Sequence, residues 1–282
     1  MAIAISVASF IGIFIISYLL RKVLRSCLPR NIYQYIAESL CTFQLVACVY
    51  ENSIIFSGYN IGVYSVVLFV LIFAYSLTFD ASGNPARVFE TMIKRQCSII
   101  EGILKIALQV IGGLLAYRYV ILVWKFLAPT ELHTTQVEIL DVSCDNPLKV
   151  SIVEGIIAEM LATSTARSIA GMGLGGRRFY KAVNAFTAVV VTLTGMEWTG
   201  MMFNPALATS LAYNCKNHPI HEHILVYWCG PFLGVLMSMF IFHFILDEII
   251  VDEDENIKQV DVVETNFKVR NGKRSMKRFS SG

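Results

Sequence analysis

The sequence predicts an all-α membrane protein: six transmembrane helices plus two re-entrant half-helices in two inverted repeats, with an extra helical span at the N-terminal end. Three observations predict it. The composition is strongly apolar, with 55% hydrophobic and 16% charged residues in 282 and a mean hydropathy of +0.60. The basic residues crowd between alternate apolar runs. Two separate motifs recur with nearly one spacing.

Such a chain is too apolar for one ordinary soluble domain. A bilayer core takes about 20 apolar residues per helix, and runs of that order cover Ile3–Leu20, Ile32–Tyr50, Ile61–Phe79, Ile99–Tyr117, Val150–Arg167, Phe179–Met196 and His223–Leu246. Arg21, Lys22, Arg25 and Arg30 follow the first run, Arg87, Lys94 and Arg95 the third, and Arg167, Arg177, Arg178 and Lys181 separate the fifth and sixth. With the basic residues after the last run, this places 18 of the 23 on one side, and only Lys125, Lys149 and Lys216 in the opposite loops. The crowded side is read as cytoplasmic. Lys105, inside the fourth run, lies four residues after Glu101, the spacing of a helical ion pair.

The first run carries no positive residue before its apolar stretch, and the basic cluster comes after it. A cleaved secretory signal has the reverse order. The expectation is an uncleaved span with its amino end outside, joined by a basic connector to the rest. The predicted organisation is 1–31 for that span and connector, 32–128 for a first repeat, 129–149 for an extracytoplasmic loop, 150–246 for a second repeat and 247–282 for a cytoplasmic tail.

Ala37-Glu38-Ser39-Leu40-Cys41-Thr42 returns as Ala158-Glu159-Met160-Leu161-Ala162-Thr163, and Asn84-Pro85-Ala86 as Asn204-Pro205-Ala206. Each copy holds three spans. An odd number means the second copy enters the membrane from the other side, so the repeats are inverted. The stretches after each Asn-Pro-Ala, Ala86–Lys94 and Ala206–Tyr213, are too short to cross. Re-entrant backbone survives at membrane depth only where protein buries it or it lines a water-filled path.

Asn caps free backbone N–H groups and Pro suits the first helical position, so both half-helices are expected to begin at their NPA. In inverted repeats the two starts meet near the midplane. Their positive dipole ends then discourage cations, while the amides of Asn84 and Asn204 donate to a passing oxygen. The irregular approach to each NPA needs acceptors inside the membrane, and Glu38 and Glu159, at matched positions, are the candidates. A proton-relay pair is the alternative for these two acids.

At these residues the chain resembles the aquaporin, or major intrinsic protein, superfamily, over roughly Ile32 to Leu246. The match includes both NPA boxes, both AE-x-L-x-T boxes and Thr199-Gly200 before the second NPA. Within that superfamily it is most similar to the superaquaporins, the unorthodox aquaporin-eleven-like branch, whose signature cysteine nine residues past the second NPA matches Cys215 and whose NPAL box is matched by Leu207. The resemblance implies the aquaporin fold, a pore in each subunit and a homotetramer. It also implies residence in intracellular membranes such as the endoplasmic reticulum, with the plasma membrane as the alternative. Water and small neutral solutes, among them glycerol and hydrogen peroxide, are the implied permeants.

The family pattern, counted from Asn204, puts Thr192, Met201 and Leu207 on the outer constriction, with Tyr64 as its fourth member. Leu207 stands where orthodox water channels carry arginine, which implies weak discrimination against glycerol-sized solutes. Arg87, after the first NPA, either supplies a charge at the cytoplasmic mouth in place of the missing arginine or snorkels to the cytoplasmic surface.

The remaining motifs point nowhere else. Cys27, Cys41, Cys48, Cys97, Cys144, Cys215 and Cys229 show no CxxC pair. Cys144 and Cys215 fall in opposite-side loops, where a disulfide is open, although Cys215 is read as packing behind the second half-helix. Cys215, His218, His221 and His223 read as loop residues at a channel mouth, not as a metal site. Gly171, Gly173 and Gly176 match GxGxxG without a preceding strand, so no nucleotide site is expected. No catalytic motif is present, and neither enzyme activity, cofactor, metal nor nucleic-acid partner is expected. The competing readings are an ion-coupled transporter and a structural membrane protein with a vestigial pore.

Overall fold

The structure, a computed structural model, describes residues 2–79, 81–127, 129–212 and 215–242. The expected tail 247–282, its serines and basic residues, the last residues of the seventh run and Tyr213 lie outside these. In chain order the helices are α1 (Ala2–Cys27), α2 (Arg30–Gly58), α3 (Ile61–Thr78), α4 (Pro85–Ile93), α5 (Ile99–Leu127), α6 (Glu131–Glu138), α7 (Ile152–Met172), α8 (Gly176–Thr199), α9 (Pro205–Ala212), α10 (Ile220–Ile224) and α11 (Gly230–Ile241). π-helical turns at Ile139–Ser143 and Leu225–Cys229 follow α6 and α10, and the second makes Ile220–Ile241 one continuous helix.

Among the described residues six helices are long and apolar enough to cross a membrane: α1, α2, α3, α5, α8 and Ile220–Ile241. Of the seven expected runs, α7 is the exception. It has 21 residues, but Glu154, Glu159 and Arg167, with its threonines, serines and glycines, dilute its hydropathy. The six are apolar where they face outward. Val66 is 64% exposed and Ile100 74%, faces that only lipid tolerates.

Helix ends follow local chemistry. α1 runs on past Leu20 to Cys27, so much of the expected connector is helical; Pro29 then disfavours helical backbone at Leu28 and serves as N-cap of α2. Asn60 caps α3 through Val63 N at 3.0 Å. Ser151 and Glu154 form a reciprocal capping box on α7. Gly173 (φ 61°), Gly175 (φ 84°) and Gly176 (φ 58°) occupy left-handed backbone in the tight α7–α8 turn, so two of the three GxGxxG glycines serve that turn, while Gly171 lies within α7. The Glu101–Lys105 pair forms at 2.8 Å, as its spacing predicts.

α1 packs on α2, α2 on α5, α7 on α8, and α3 on α8, while the half-helix α9 sits against α5. Small residues permit the closest approaches. A Cβ at Gly112 would lie 2.1 Å from the Ser39 backbone carbonyl oxygen, and one at Gly113 2.0 Å from Ser210 Oγ. Gly112→Ala is therefore expected to cost roughly 1–3 kcal/mol by forcing α2 and α5 apart. A melting temperature of the purified variant equal to the parent's would contradict that packing.

A buried polar knot fixes the loop between repeats. Glu51 on α2 accepts Trp124 Nε1 at 3.0 Å and meets His133 Nε2 at 3.1 Å, while His133 Nδ1 lies 2.6 Å from Thr130 Oγ1. Residues 129–149, read as a loop, thus hold α6 pinned to α2 and α5.

Candidate functional site: the two asparagine turns

Both half-helices begin at their asparagine, as capping chemistry requires. Asn84 Oδ1 accepts Ala86 N at 2.8 Å; Asn204 Oδ1 accepts Ala206 N at 3.1 Å and Leu207 N at 3.3 Å. Pro85 and Pro205 each occupy the first helical position, where no N–H is needed. Ala86 and Ala206 are both fully buried.

The structure brings the two turns together. Asn84 Nδ2 donates to Phe203 O at 3.0 Å, and Asn204 Nδ2 donates to Gly83 O at 2.9 Å. Each carboxamide reaches the carbonyl just before the other asparagine, an exchange that mirrors the sequence repeat. One N–H of each amide is thereby committed to holding the turns, and a carboxamide carries a second. Holding the two turns together is a task of these amides that the sequence reading did not foresee.

Two buried acids brace the irregular backbone before each NPA. Glu38 accepts Ser82 N, Ser82 Oγ, Gly83 N and Gln109 Nε2, at 2.7–3.2 Å. Glu159 accepts Thr199 Oγ1 at 2.6 Å, Met202 N at 3.0 Å and Phe203 N at 2.6 Å. The two brace sets differ in backbone strain. Gly83 (φ 58°) takes the left-handed conformation that glycine tolerates, whereas Met201 (φ 42°) and Phe203 (φ 32°) hold it against side-chain sterics. Bonds from Glu159 and Thr199 Oγ1 to the N–H groups of residues 201–203 secure that strained segment.

The residues matched to the outer constriction are distributed as follows. Thr192, on α8, donates to Ala188 O at 2.8 Å. Met201 packs with Ala158, Ala162 and Val191 between α7 and α8, over Gly195. Leu207, partly buried, touches both the α2–α5 core and the cluster of Leu148, Met202 and Val226. Tyr64 sits at the start of α3, edge-on to Phe56 with ring centroids 5.2 Å apart. Arg87 is exposed on the first turn of α4.

Several supports were invisible in the sequence. Gln109 of α5 bonds both Glu38 and Ser82 Oγ. Glu90 ties α4 to α7 through Arg167 Nε at 2.5 Å and also holds Lys94 at 2.6 Å. Tyr50 OH donates to Ser210 O at 2.7 Å, anchoring α9. Only an isolated glutamine, an i,i+4 pair and a mid-span tyrosine mark these in the sequence, and none repeats at the NPA spacing.

Cys144 and Cys215 form a disulfide. This corrects the reading of Cys215 as a thiol packed behind the second half-helix: it bonds across to the loop that precedes α7. Lys216 N donates to Cys144 O at 2.8 Å alongside. The charges here are locally matched; Lys149 lies 3.3 Å from Asp145, whose carboxyl is held below the usual range by Asn146 N–H, Asn217 and Lys149.

The histidines continue this lock inward. His218 Nδ1 is 2.7 Å from Asn146 Oδ1, His218 Nε2 is 2.8 Å from His223 Nδ1, and His223 Nε2 is 2.9 Å from Thr209 Oγ1, which itself donates to Pro205 O. Among the described residues no cluster of three or more His, Cys, Asp or Glu is arranged to hold a metal. Burial lowers the affinity of His218 for a proton, with Glu222 opposing. Its neighbours are Asn146, His223, Glu222 and the Tyr227 ring at 5.9 Å. Because the folded state resists protonating His218, the unfolded chain binds that proton first, so the lock weakens as pH falls below about 6.5. Amide exchange around residues 216–219 is expected to quicken from pH 7 to 5.5 relative to α2. A flat profile, or an unchanged one in His218→Gln, would contradict this.

The profile of the major intrinsic protein (MIP) family matches residues 26–242. Among curated relatives, aquaporin-11 of Milnesium tardigradum is 30% identical over 80% of this chain and 82% of its own length. Human aquaporin-11 is 26% identical over 86% of this chain and 89% of its own, and mouse aquaporin-12 is 26% identical over 83% of each. Among solved structures, the aquaglyceroporin of Plasmodium falciparum superposes with a TM-score of 0.50 over 87% of this chain and 99% of its own, at 13% identity. That likeness concerns the fold, which is the aquaporin fold.

Proposed function

Because the chain belongs to the major intrinsic protein family, we propose that water and small neutral solutes, glycerol and hydrogen peroxide among them, cross it passively between its two NPA turns. A multi-pass membrane channel for water or small solutes, of the aquaporin-11 and aquaporin-12 type, follows from membership and from those relatives. One observation carries the finer reading: the reciprocal bonds from Asn84 to Phe203 O and from Asn204 to Gly83 O, which join two half-helix N-termini at one point. Converging positive dipole ends oppose cations, and the second N–H of each carboxamide is the donor offered to a solute oxygen.

In this reading Glu38 and Glu159 are scaffolding acids, since the bonds they accept come from the loops before each NPA, from Thr199 and from Gln109. Thr192, Met201, Leu207 and Tyr64 form the outer constriction, and with leucine in place of a fixed cation the ring admits glycerol-sized solutes. Arg87 supplies a charge at the cytoplasmic mouth. The assembly is a homotetramer in the lipid bilayer, with a pore in each subunit. The basic bias puts the C-terminal end in the cytoplasm, and the disulfide favours a compartment that is oxidising on the opposite face, such as the endoplasmic reticulum lumen.

The test is a stopped-flow series on purified protein in liposomes, with gradients of water, glycerol and peroxide. The expected result is flux for all three that is unsaturated and indifferent to sodium and proton gradients. Saturable uptake driven by either ion would replace the channel with a coupled transporter. Shrinkage like that of empty liposomes would leave a structural protein.

A further inference from the structure

The cytoplasmic end of α1 opens a cavity of about 590 Å³ that none of the NPA chemistry uses. It is lined by Arg21, Lys22 and Arg25 of α1, Tyr33 of α2, and Thr78 and Phe79 at the end of α3, with no carboxylate among the described lining residues; Asp80, next to Phe79, lies outside the described residues. A neighbouring cavity of about 530 Å³ shares Arg25 and Tyr33 and adds Arg30, Lys105 and Glu38. The Glu38 carboxylate in that second cavity is already bonded to Ser82, Gly83 and Gln109.

Arg21 is the informative residue. It is only 5% exposed, its guanidinium lies 3.9 Å from the centroid of the Phe79 ring, and both Nη1 and Nη2 lack any partner. The ring satisfies the face of the guanidinium and leaves its donor edge bare. Burying an unpaired charge with open donors is costly, and the group that relieves it must be anionic with two or more acceptor oxygens in a fork. Among the described residues no carboxylate bonds it; a phosphate would fit.

Position distinguishes among phosphates. Arg21 follows directly on the apolar run Ile3–Leu20, so it stands at the depth of lipid headgroups. Tyr18 and Tyr33 line the cavity and suit that layer, having an apolar ring and a polar tip. Tyr18, which lines the cavity, and its chain neighbours Leu19 and Leu20 are exposed, giving a path for an acyl chain. The volume lies within the range of about 300–1,000 Å³ typical of sites for whole small molecules. Basic pockets between spans on the cytoplasmic side hold phosphorylated headgroups.

We propose that this cavity binds the phosphate headgroup of an anionic inner-leaflet lipid, with Arg21 as the buried anchor and Lys22 at the mouth. The site clamps the extra helix α1 against α2 and α3, and does so whatever the channel conducts.

The experiment uses the full chain in phosphatidylcholine nanodiscs, titrated with short-chain phosphatidylinositol phosphate, with inorganic phosphate, and with further phosphatidylcholine, binding being read by native mass spectrometry. The parent is expected to retain the phosphoinositide. Lys22→Gln, at an exposed position that leaves the fold intact, is expected to weaken retention about fivefold, and Arg21→Gln more than that. Lys216→Gln, on the opposite face, serves as the unchanged control. Equal binding by parent, Lys22→Gln and Arg21→Gln would overturn the site. Inorganic phosphate binding as tightly as the lipid, with the same sensitivity to Lys22→Gln, would overturn the lipid assignment.

Discussion

Glu159→Gln is expected to abolish most solute flux while the protein still reaches the membrane. The side chain is fully buried and takes three donors, Thr199 Oγ1 and the N–H groups of Met202 and Phe203. An amide in its place turns one acceptor oxygen into a donor, so at least one of those groups faces an NH2. A hydrogen bond to a charged group contributes about 1.5–3 kcal/mol, and a stranded buried donor costs about 1–3 kcal/mol more. Removing a desolvated charge from mid-span offsets part of this. The net loss is expected at about 3 kcal/mol, and it falls on the segment held in left-handed backbone at Met201 and Phe203. Once the brace fails, that segment relaxes and withdraws Phe203 O from Asn84. Glu38→Gln is expected to act less sharply on flux, because its turn uses Gly83, whose positive φ needs no restraint. Osmotic shrinkage and thermal unfolding of the two variants, measured side by side, check this ordering. Parent-like flux in Glu159→Gln would remove the brace from the account.

Loss of the Cys144–Cys215 disulfide is the second large effect. The bond closes a loop across 71 residues, for which chain entropy predicts up to about 4 kcal/mol of stabilisation. It joins the segment entering α7 to the segment leaving α9, and so ties the inter-repeat loop to the second NPA helix. Cys144→Ser is expected to lower the melting temperature markedly and to loosen the hydrogen-bonded run from His218 to Thr209. A thiol reductant should reproduce this in the parent and add nothing in the variant. A parent whose unfolding ignores the reductant would contradict the role given to the bond.

What the sequence made legible was whatever the repeat duplicates. Glu38 and Glu159 read as loop braces because the same acid returns in the same box, and the half-helices read from Asn-Pro because capping chemistry is local. The disulfide did not read, because pairing two of seven cysteines depends on how the chain between them folds. Here α6 and its π turn bring Cys144 to within 4.5 Å, Cα to Cα, of Cys215. The proposed outer constriction rests on resemblance alone. Side-chain direction at Met201 is set by a positive φ that spacing cannot reveal, and the Met201 side chain packs over Gly195. α7 read as apolar by its length, although the acids it carries for capping and bracing dilute its hydropathy.

The seven-run count also missed what α1 does beyond spanning. Its basic end continues as helix and closes a cavity against α2 and α3, because Lys and Arg sustain a helix until Pro29 stops it.

The most direct measurement of the central claim is osmotic water flux in liposomes for the parent, for the double variant Asn84→Ala with Asn204→Ala, and for protein-free vesicles. If solutes pass where the two asparagines are joined, the parent shrinks well faster than empty vesicles and the folded double variant falls back to near their rate. Equal, fast shrinkage in parent and double variant would mean that the path lies elsewhere.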